Sequence, residues 1–280
     1  MNAMNAIHTA TPQQCAKLWP AVSADHLFPN SAAFKEYCKR APWSVRTTDR
    51  GEAALLGTWR EHLDVLAIRT IWSAERDVPD FVADAVVMAG EQGFARVLSP
   101  LLPDVLLGGY RGSGMRIAER IVAIQGHPEL VLRADPPIGV RIRAGTADDI
   151  AAVATIDAAS FSEFWRYDED ELAGLLGVER LAVAEASGGA VIGYTLTTVS
   201  RGSATLSRLA TAPHARTCGV GRALLAESAA WSVRSGAVTF SLCTQEANSA
   251  SRRLYATAGL SELAERYAFA ICDVTKEARP

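Results

Sequence analysis

Residues 215–225 read ARTCGVGRALL and combine the residue types that bind an anion. Gly219 and Gly221 allow a tight turn in which the backbone approaches a ligand closely, and Arg216 and Arg222 supply positive charge. The apolar residues that follow predict a helix, whose first N–H groups lack partners and favour a negative group. The stretch therefore predicts a pyrophosphate site, with an ordinary glycine turn and solvated arginines as the alternative.

Two other phosphate-binding motifs do not fit this turn. A P-loop requires GxxxxGK[ST], which is absent from the sequence. A dinucleotide-binding fingerprint requires a third small residue where Leu224 stands, and an acidic partner further along the chain. The identity of the anion therefore depends on the elements around the turn.

These elements alternate between strands and helices. Pro136 and Pro137 mark a boundary, after which the pattern starts again. Beyond it the sequence predicts a strand, two helices, three strands, a helix, a strand, a helix and a final strand or pair of strands. The turn joins the third of the three strands to the next helix. This order predicts an α/β fold with a mixed sheet.

The stretch LSRLATAPHARTCGVGRALL resembles the acetyl-CoA-binding motif of the GNAT N-acetyltransferase superfamily, in which RxxGxG follows a strand that ends in a proline. Pro213, Arg216, Gly219 and Gly221 occupy these positions. TQEANSASRRLYATAGL is similar to the second half of the family signature, an asparagine at a helix start followed by YxxxGF, with leucine replacing phenylalanine. The resemblance covers about residues 139–272 and implies an acetyl-CoA-dependent N-acetyltransferase.

The resemblance also implies a role for each matched position. Backbone groups before Pro213 would pair with the pantetheine arm, amides of the turn would hold the pyrophosphate, and Asn248 would bind near the pantetheine. Tyr255 would donate a proton to the departing CoA thiolate, although a helical tyrosine can also simply pack in a core. The implied cofactor-binding residues are Leu209, Ala210, Thr211, Arg216, Thr217, Cys218, Gly219, Val220, Gly221, Arg222, Asn248, Ser251 and Tyr255.

Transfer to an amine calls for a general base, because amines are mostly protonated at neutral pH. The strand ATLSRLAT carries no carboxylate where relatives often hold one, and Glu163 is the predicted substitute. The same segment carries Phe161, Phe164 and Trp165, which are predicted to line the acceptor site. The alternative for these aromatic residues is packing in the core.

The first half of the chain repeats the order of predicted strands and helices found in the second half. Strands and helices are predicted in that order between residues 43 and 125, and a YxxxG motif starts at Tyr110. RxxGxG is replaced by WSAERDVPD, whose carboxylates would repel a pyrophosphate. We therefore expect two GNAT-like domains in tandem: a degenerate one at residues 1–136 and a catalytic one at residues 137–280. An unrelated α/β domain is the alternative for the first.

Composition narrows the class of partner. The 280 residues suffice for two domains, with 49% hydrophobic residues, 21% charged residues and a formal net charge of −3. This charge gives no bias toward nucleic acid or anionic membranes. Scattered cysteines, no secretory signal and no apolar run of about 20 residues predict a cytoplasmic protein without a metal. We expect a monomer or homodimer that binds neither nucleic acid nor membrane.

Three functions are compatible with these features. The first is an acetyl-CoA-dependent N-acetyltransferase acting on an amine of a small molecule, peptide or protein. The second is a non-catalytic CoA-binding regulatory module, which the missing strand carboxylate favours. The third is a transferase that uses another acyl-CoA or a thiol-pathway amine, similar to mycothiol synthase, which is also a tandem GNAT.

Overall fold

The computed structural model describes residues 6–25, 27–60 and 62–274, which form two compact units. The first unit comprises residues up to Arg120 together with those from Tyr267 onward, and the second comprises Ile121–Arg266. Within the described ranges, no helix is both long enough and apolar enough to cross a membrane.

The first unit starts with helices that the sequence analysis does not predict. Thr11 and Gln14 form a capping box at the start of one helix, and Asn30 caps the next. The elements of this unit are β1 (His8–Thr9), α1 (Pro12–Ala24), α2 (Ser31–Arg40), β2 (Val45–Thr47), β3 (Ala53–Trp59), β4 (His62–Trp72), α3 (Val78–Gln92), β5 (Arg96–Leu98), β6 (Leu102–Pro103), α4 (Leu107–Gly112) and the start of β7 (Arg116–Gly126). Neighbouring strands from β1 to β5 pair in order, antiparallel except for the parallel β4–β5 pair.

The second unit has the order of elements that the sequence predicts. They are the end of β7, β8 (Val140–Ala144), α5 (Ile150–Ser160), α6 (Glu169–Leu175), β9 (Arg180–Ala186), β10 (Val191–Ser200), β11 (Ser203–Thr211), α7 (Val220–Arg234), β12 (Thr239–Gln245), α8 (Ser249–Thr257) and the start of β13 (Ser261–Asp273). Strands β8 to β12 pair in order, antiparallel except for the parallel β11–β12 pair. The predicted α/β fold with a mixed sheet is confirmed.

Each unit contains part of a strand that the sequence order alone would give to the other half. In the second unit, β12 pairs with residues 121–126 of β7. In the first unit, β5 pairs with residues 271–273 of β13. The predicted boundary between residues 136 and 137 therefore does not coincide with the compact units, because residues 121–136 belong to the second unit and residues from 267 onward belong to the first.

Residues 121–126 of β7 contribute to the core of the second unit. Val122 and Ile124 are buried with Phe240 and Leu242 of β12, and this layer packs against Leu225 of α7. Burial of such side chains is the main source of stability in a unit of this size.

A fragment of residues 137–266, which starts at the predicted boundary, lacks this strand. It leaves one edge of β12 unpaired and removes Val122 and Ile124 from the core. Because burying one such side chain is worth about 1.5–3 kcal/mol, we expect the fragment to unfold at a lower urea concentration than residues 121–266. Circular dichroism measures both transitions, and equal midpoints would contradict the assignment of β7 to the second unit.

Candidate active site

The parallel strands β11 and β12 pair over four positions and then separate. Ser203–Leu206 pair with Thr239–Leu242. Beyond Leu206, β11 follows β10 as far as Thr211, whereas β12 follows β7 as far as Gln245. The separation leaves one edge of β11 uncovered by β12, and an extended ligand can add to such an edge through main-chain hydrogen bonds. The predicted cofactor-binding residues Leu209, Ala210 and Thr211 lie on this stretch.

The turn between β11 and α7 has an unusual backbone. Gly219, the N-cap of α7, has a φ of 88°, and Thr217 has a φ of 62°. This left-handed region suits glycine and is uncommon for threonine. No side chain in the described part of the chain caps α7. The N–H groups of its first turn are therefore available to an anion, as the sequence predicts.

Of the side chains in the turn, Arg216 is hydrogen-bonded to a neighbouring helix, whereas Cys218 and Arg222 are exposed. The Arg216 guanidinium donates to the Ala159 carbonyl and to Ser160 Oγ, both at 3.3 Å, and so attaches the turn to the end of α5. Arg222, in the first turn of α7, is exposed, as is Cys218. Positive charge therefore lies next to the first N–H groups of α7, and no side chain of the described residues caps these groups.

The start of α8 contains the second part of the predicted site. Asn248 caps the helix by accepting a hydrogen bond from the Ser251 N–H at 3.1 Å. Tyr255, one turn further along, is only 6% exposed and packs with Leu206 and Leu242, the last paired positions before the strands separate. Burial raises the pKa of Tyr255 to about 12, although a hydrogen bond with Ser251 opposes this. The phenol is therefore protonated at neutral pH, as a proton donor must be.

A buried ion pair connects α5 to β11. Asp157 is fully buried, and its two carboxylate oxygens accept hydrogen bonds from Arg208 Nε at 2.8 Å and Nη2 at 3.1 Å. The Tyr194 hydroxyl and the Tyr167 N–H donate to the same carboxylate. Burial, followed by the Asp157 charge, raises the pKa of Tyr194 well above its ordinary value, so this hydroxyl remains a donor. These donors satisfy the buried charge.

The same arginine holds the segment between α5 and α6. Arg208 Cζ lies 3.7 Å from the ring centroid of Phe161 and 4.2 Å from that of Tyr167, and Arg208 Nη2 donates to the Trp165 carbonyl. Cation–π contacts of this kind add to the ion pair. The ring of Trp165 packs edge to face against Phe164, with centroids 5.0 Å apart. The predicted acceptor-site residues Phe164 and Trp165 thus pack against each other. The ring of the third, Phe161, is covered by the Arg208 guanidinium.

Glu163 lies apart from this network. Its side chain is 77% exposed, and its carboxylate lies 3.6 Å from Arg166. The geometry therefore gives no support to the predicted role of Glu163.

Glu179 is a candidate site residue that the sequence does not predict. A bulge in β11 leaves Ser207 without a cross-strand partner, since Leu196 pairs with Arg208 and Thr197 pairs with Leu206. The Ser207 hydroxyl donates to the Glu179 carboxylate. Burial raises the pKa of Glu179, and the Ser207 hydrogen bond and the Arg208 charge only partly oppose it. No sequence signal indicates this contact, which depends on the register of the sheet.

A cavity of about 340 Å³ lies beside Ser207, where β11 and β12 stop pairing. Gln125, Thr205, Ser207 and Ser241 contribute polar side chains, the remaining lining residues are apolar or, in Cys243, a thiol, and none carries a charge. Across the described residues, no three His, Cys, Asp or Glu side chains form a group that could hold a metal ion.

The separated strands, the uncapped helix behind a glycine turn, and the buried tyrosine of the next helix are features of a GNAT-type fold. Residues 149–260 match the model of the acetyltransferase (GNAT) family. The chain therefore contains a GNAT acetyltransferase domain, and the protein is an acyltransferase. No curated protein matches the sequence.

Solved structures share the fold over nearly the whole chain. A tandem GNAT protein from the clavulanic acid biosynthesis pathway is 13% identical, with a TM-score of 0.70 over 98% of this chain and 99% of that one. A GCN5-related N-acetyltransferase from Sphaerobacter thermophilus is 17% identical, with a TM-score of 0.63 and coverage of 98% and 96%. Another from Kribbella flavida is 16% identical, with a TM-score of 0.61 and coverage of 97% and 72%. The predicted tandem arrangement of two GNAT-like folds is confirmed.

Replacing Asp157 with alanine leaves the Arg208 guanidinium and the Tyr194 hydroxyl buried without their acceptor. Removing one member of a buried pair costs about 3–5 kcal/mol, so we expect the free energy of unfolding in urea to fall by that amount. Asp148→Ala removes an exposed carboxylate close by in sequence and is expected to change stability by no more than about 0.5 kcal/mol. Equal effects of the two substitutions would contradict a structural role for the ion pair.

Proposed function

We propose that the protein is an acetyl-CoA-dependent N-acetyltransferase and that the second unit carries out direct transfer of the acetyl group to an amine. The observation that carries this proposal is the uncovered edge of β11, which leads directly into the N–H-rich turn before α7. A ligand with an extended amide-containing arm and a pyrophosphate fits the two features in this order. Acetyl-CoA is such a ligand.

The direction of the strand sets where the acetyl group would lie. With the pyrophosphate at residues 216–222, the pantetheine arm pairs with Leu209–Thr211 and runs back along β11 toward Leu206. This distance is roughly 16 Å for five residues of strand. The thioester then reaches the point where β11 and β12 separate, which is also where Tyr255 and the cavity lie.

Tyr255 is the proposed proton donor to the departing thiolate. Its raised pKa keeps it protonated, and Ser251 hydrogen-bonds its hydroxyl. The cap at Asn248 fixes the start of the helix that carries both residues. A positioned acid of this kind favours cleavage of the carbon–sulfur bond.

The first unit is proposed to bind no cofactor. Its β4–β5 pair corresponds to β11–β12, but the approach to α3 contains Glu75 and Asp77, and Asp80 lies in the first turn of α3. Three carboxylates at this helix start would repel a pyrophosphate. We therefore assign to this unit the degenerate repeat that the sequence predicts within residues 1–136.

Gly221→Glu tests the pyrophosphate site. A Cβ at Gly221 would lie 3.7–3.8 Å from side-chain atoms of Thr211, Leu209 and Leu254, so the backbone accepts a side chain there and the new carboxylate would lie in the proposed site. Acetyl-CoA at 100 times its Kd stabilises a binding protein by about 2.7 kcal/mol. We expect this thermal shift in the unmodified protein and its loss in the variant.

Two matched variants control this experiment. Gly221→Ala tests whether any side chain is tolerated, and Gly188→Glu places the same charge in an exposed turn where a Cβ meets no neighbour within 4 Å. Gly188→Glu should keep the acetyl-CoA shift, and Gly221→Ala should retain more of it than Gly221→Glu. An undiminished shift in Gly221→Glu would exclude this turn as the pyrophosphate site.

Tyr255→Phe tests the acid. Once a panel of amines, amino acids, polyamines, aminoglycosides and peptides has supplied an acceptor, we expect the variant to lower kcat by about 10²-fold. Acetyl-CoA stabilisation should remain. Tyr110→Phe is the matched control, since burial also raises the pKa of Tyr110 to about 12 but the first unit is proposed to be non-catalytic. Normal turnover by Tyr255→Phe, with chemistry rate-limiting, would refute the assignment.

A further inference from the structure

We propose that Ser207 and Glu179 together accept the proton of the acceptor amine, and that the cavity beside them takes a small monoamine. This inference rests on the proposed acetyl transfer, for which it supplies the missing general base. Ser207 would contact the amine, and Glu179 would act through it.

The position of Ser207 follows from the bulge. In a regular strand the side chains of neighbouring residues point to opposite faces, but the unpaired Ser207 breaks this alternation next to Arg208. Its hydroxyl lines the cavity and at the same time donates to Glu179. One hydroxyl thus connects the space available to an acceptor with a carboxylate just behind it.

The surroundings of Glu179 suit a base. The carboxylate is partly buried, and burial disfavours its charged form and raises its pKa, which increases its affinity for a proton. Arg208, whose charge acts on Glu179, is held by both oxygens of Asp157 and lies against two aromatic rings. Its charge therefore lowers the pKa of Glu179 by less than burial raises it.

The lining of the cavity indicates the class of acceptor. Its volume of about 340 Å³ is at the lower end of the usual range for small-molecule sites, about 300–1,000 Å³. No lining residue is charged, so Glu179 is the carboxylate available to one ammonium group through Ser207. A second ammonium group would find no carboxylate partner among the residues that line this cavity. Monoamines therefore fit better than polyamines or lysine-rich peptides.

The proposed steps conserve atoms and charge. The protonated amine gives a proton to Ser207 Oγ as the hydroxyl proton moves to Glu179. The neutral nitrogen then forms a bond to the thioester carbon, and the carbon–sulfur bond breaks. Tyr255 protonates the departing sulfur and recovers its proton from the new amide nitrogen, while Glu179 releases its proton to solvent. The products are the N-acetyl amine, CoA and one proton.

The test measures CoA release by the full-length protein as a function of pH, with 2-phenylethylamine and hexylamine as monoamines and spermidine as the polyamine. The acid limb of kcat/KM should lie where Glu179 titrates, because the carboxylate must be deprotonated to act. Glu179→Gln should lower kcat/KM at neutral pH by about 10²-fold and leave a rate that rises toward the pKa of the amine itself, near about 10. Ser207→Ala should have the same effect, and Ser207→Thr should restore activity.

Two controls separate chemistry from folding and binding. All Glu179 and Ser207 variants should keep the stabilisation by acetyl-CoA. Glu129→Gln, which removes an exposed carboxylate from the same unit, should leave the rate and its pH profile unchanged.

The outcomes distinguish this inference from the proposed function. A wild-type pH profile in Glu179→Gln, with active protein, would overturn the proton-accepting pair but not acetyl transfer. Faster turnover of spermidine than of the monoamines would overturn the acceptor class. Acetyl-CoA binding without CoA release for any amine tested would overturn the transferase proposal, and this inference with it.

Discussion

The separation of two parallel strands is the constraint on which the rest of the site depends. β11 and β12 share four paired positions and then follow different neighbours, because β10 holds one and β7 holds the other. Main-chain groups that a sheet would normally satisfy are thus offered to a ligand. The turn before α7, the tyrosine of α8, the bulge at Ser207 and the cavity all lie along this opening.

The buried Asp157–Arg208 pair stabilises one side of the opening. It joins α5 to β11, and the aromatic rings of Phe161 and Tyr167 enclose the guanidinium. A buried pair gives little net stability compared with apolar packing, but it has strict geometric requirements. Here it fixes the position of the segment between α5 and α6, because Arg208 also donates to the Trp165 carbonyl.

The two units show that fold and site are separate properties. Both have the same strand pairing, including one parallel pair, and both contain a buried tyrosine with a pKa of about 12. They differ where the helix after that pair begins: glycines and arginines flank the start of α7, whereas carboxylates flank the start of α3. A helix start favours an anion only if the neighbouring charges permit it, so this difference supports assigning the reaction to the second unit.

The sequence by itself determined the class of fold and the tandem arrangement, because both follow from the local periodicity of strands and helices and from their repeated order along the chain. Pro213, Gly219 and Asn248 are close along the chain to the elements that they end or begin. The tertiary structure alone decided the pairing of β7 with β12 and of β13 with β5, and the contact of Ser207 with Glu179. Strand neighbours and register bring together residues far apart in sequence, and hydrophobic pattern does not specify which partner a strand will find.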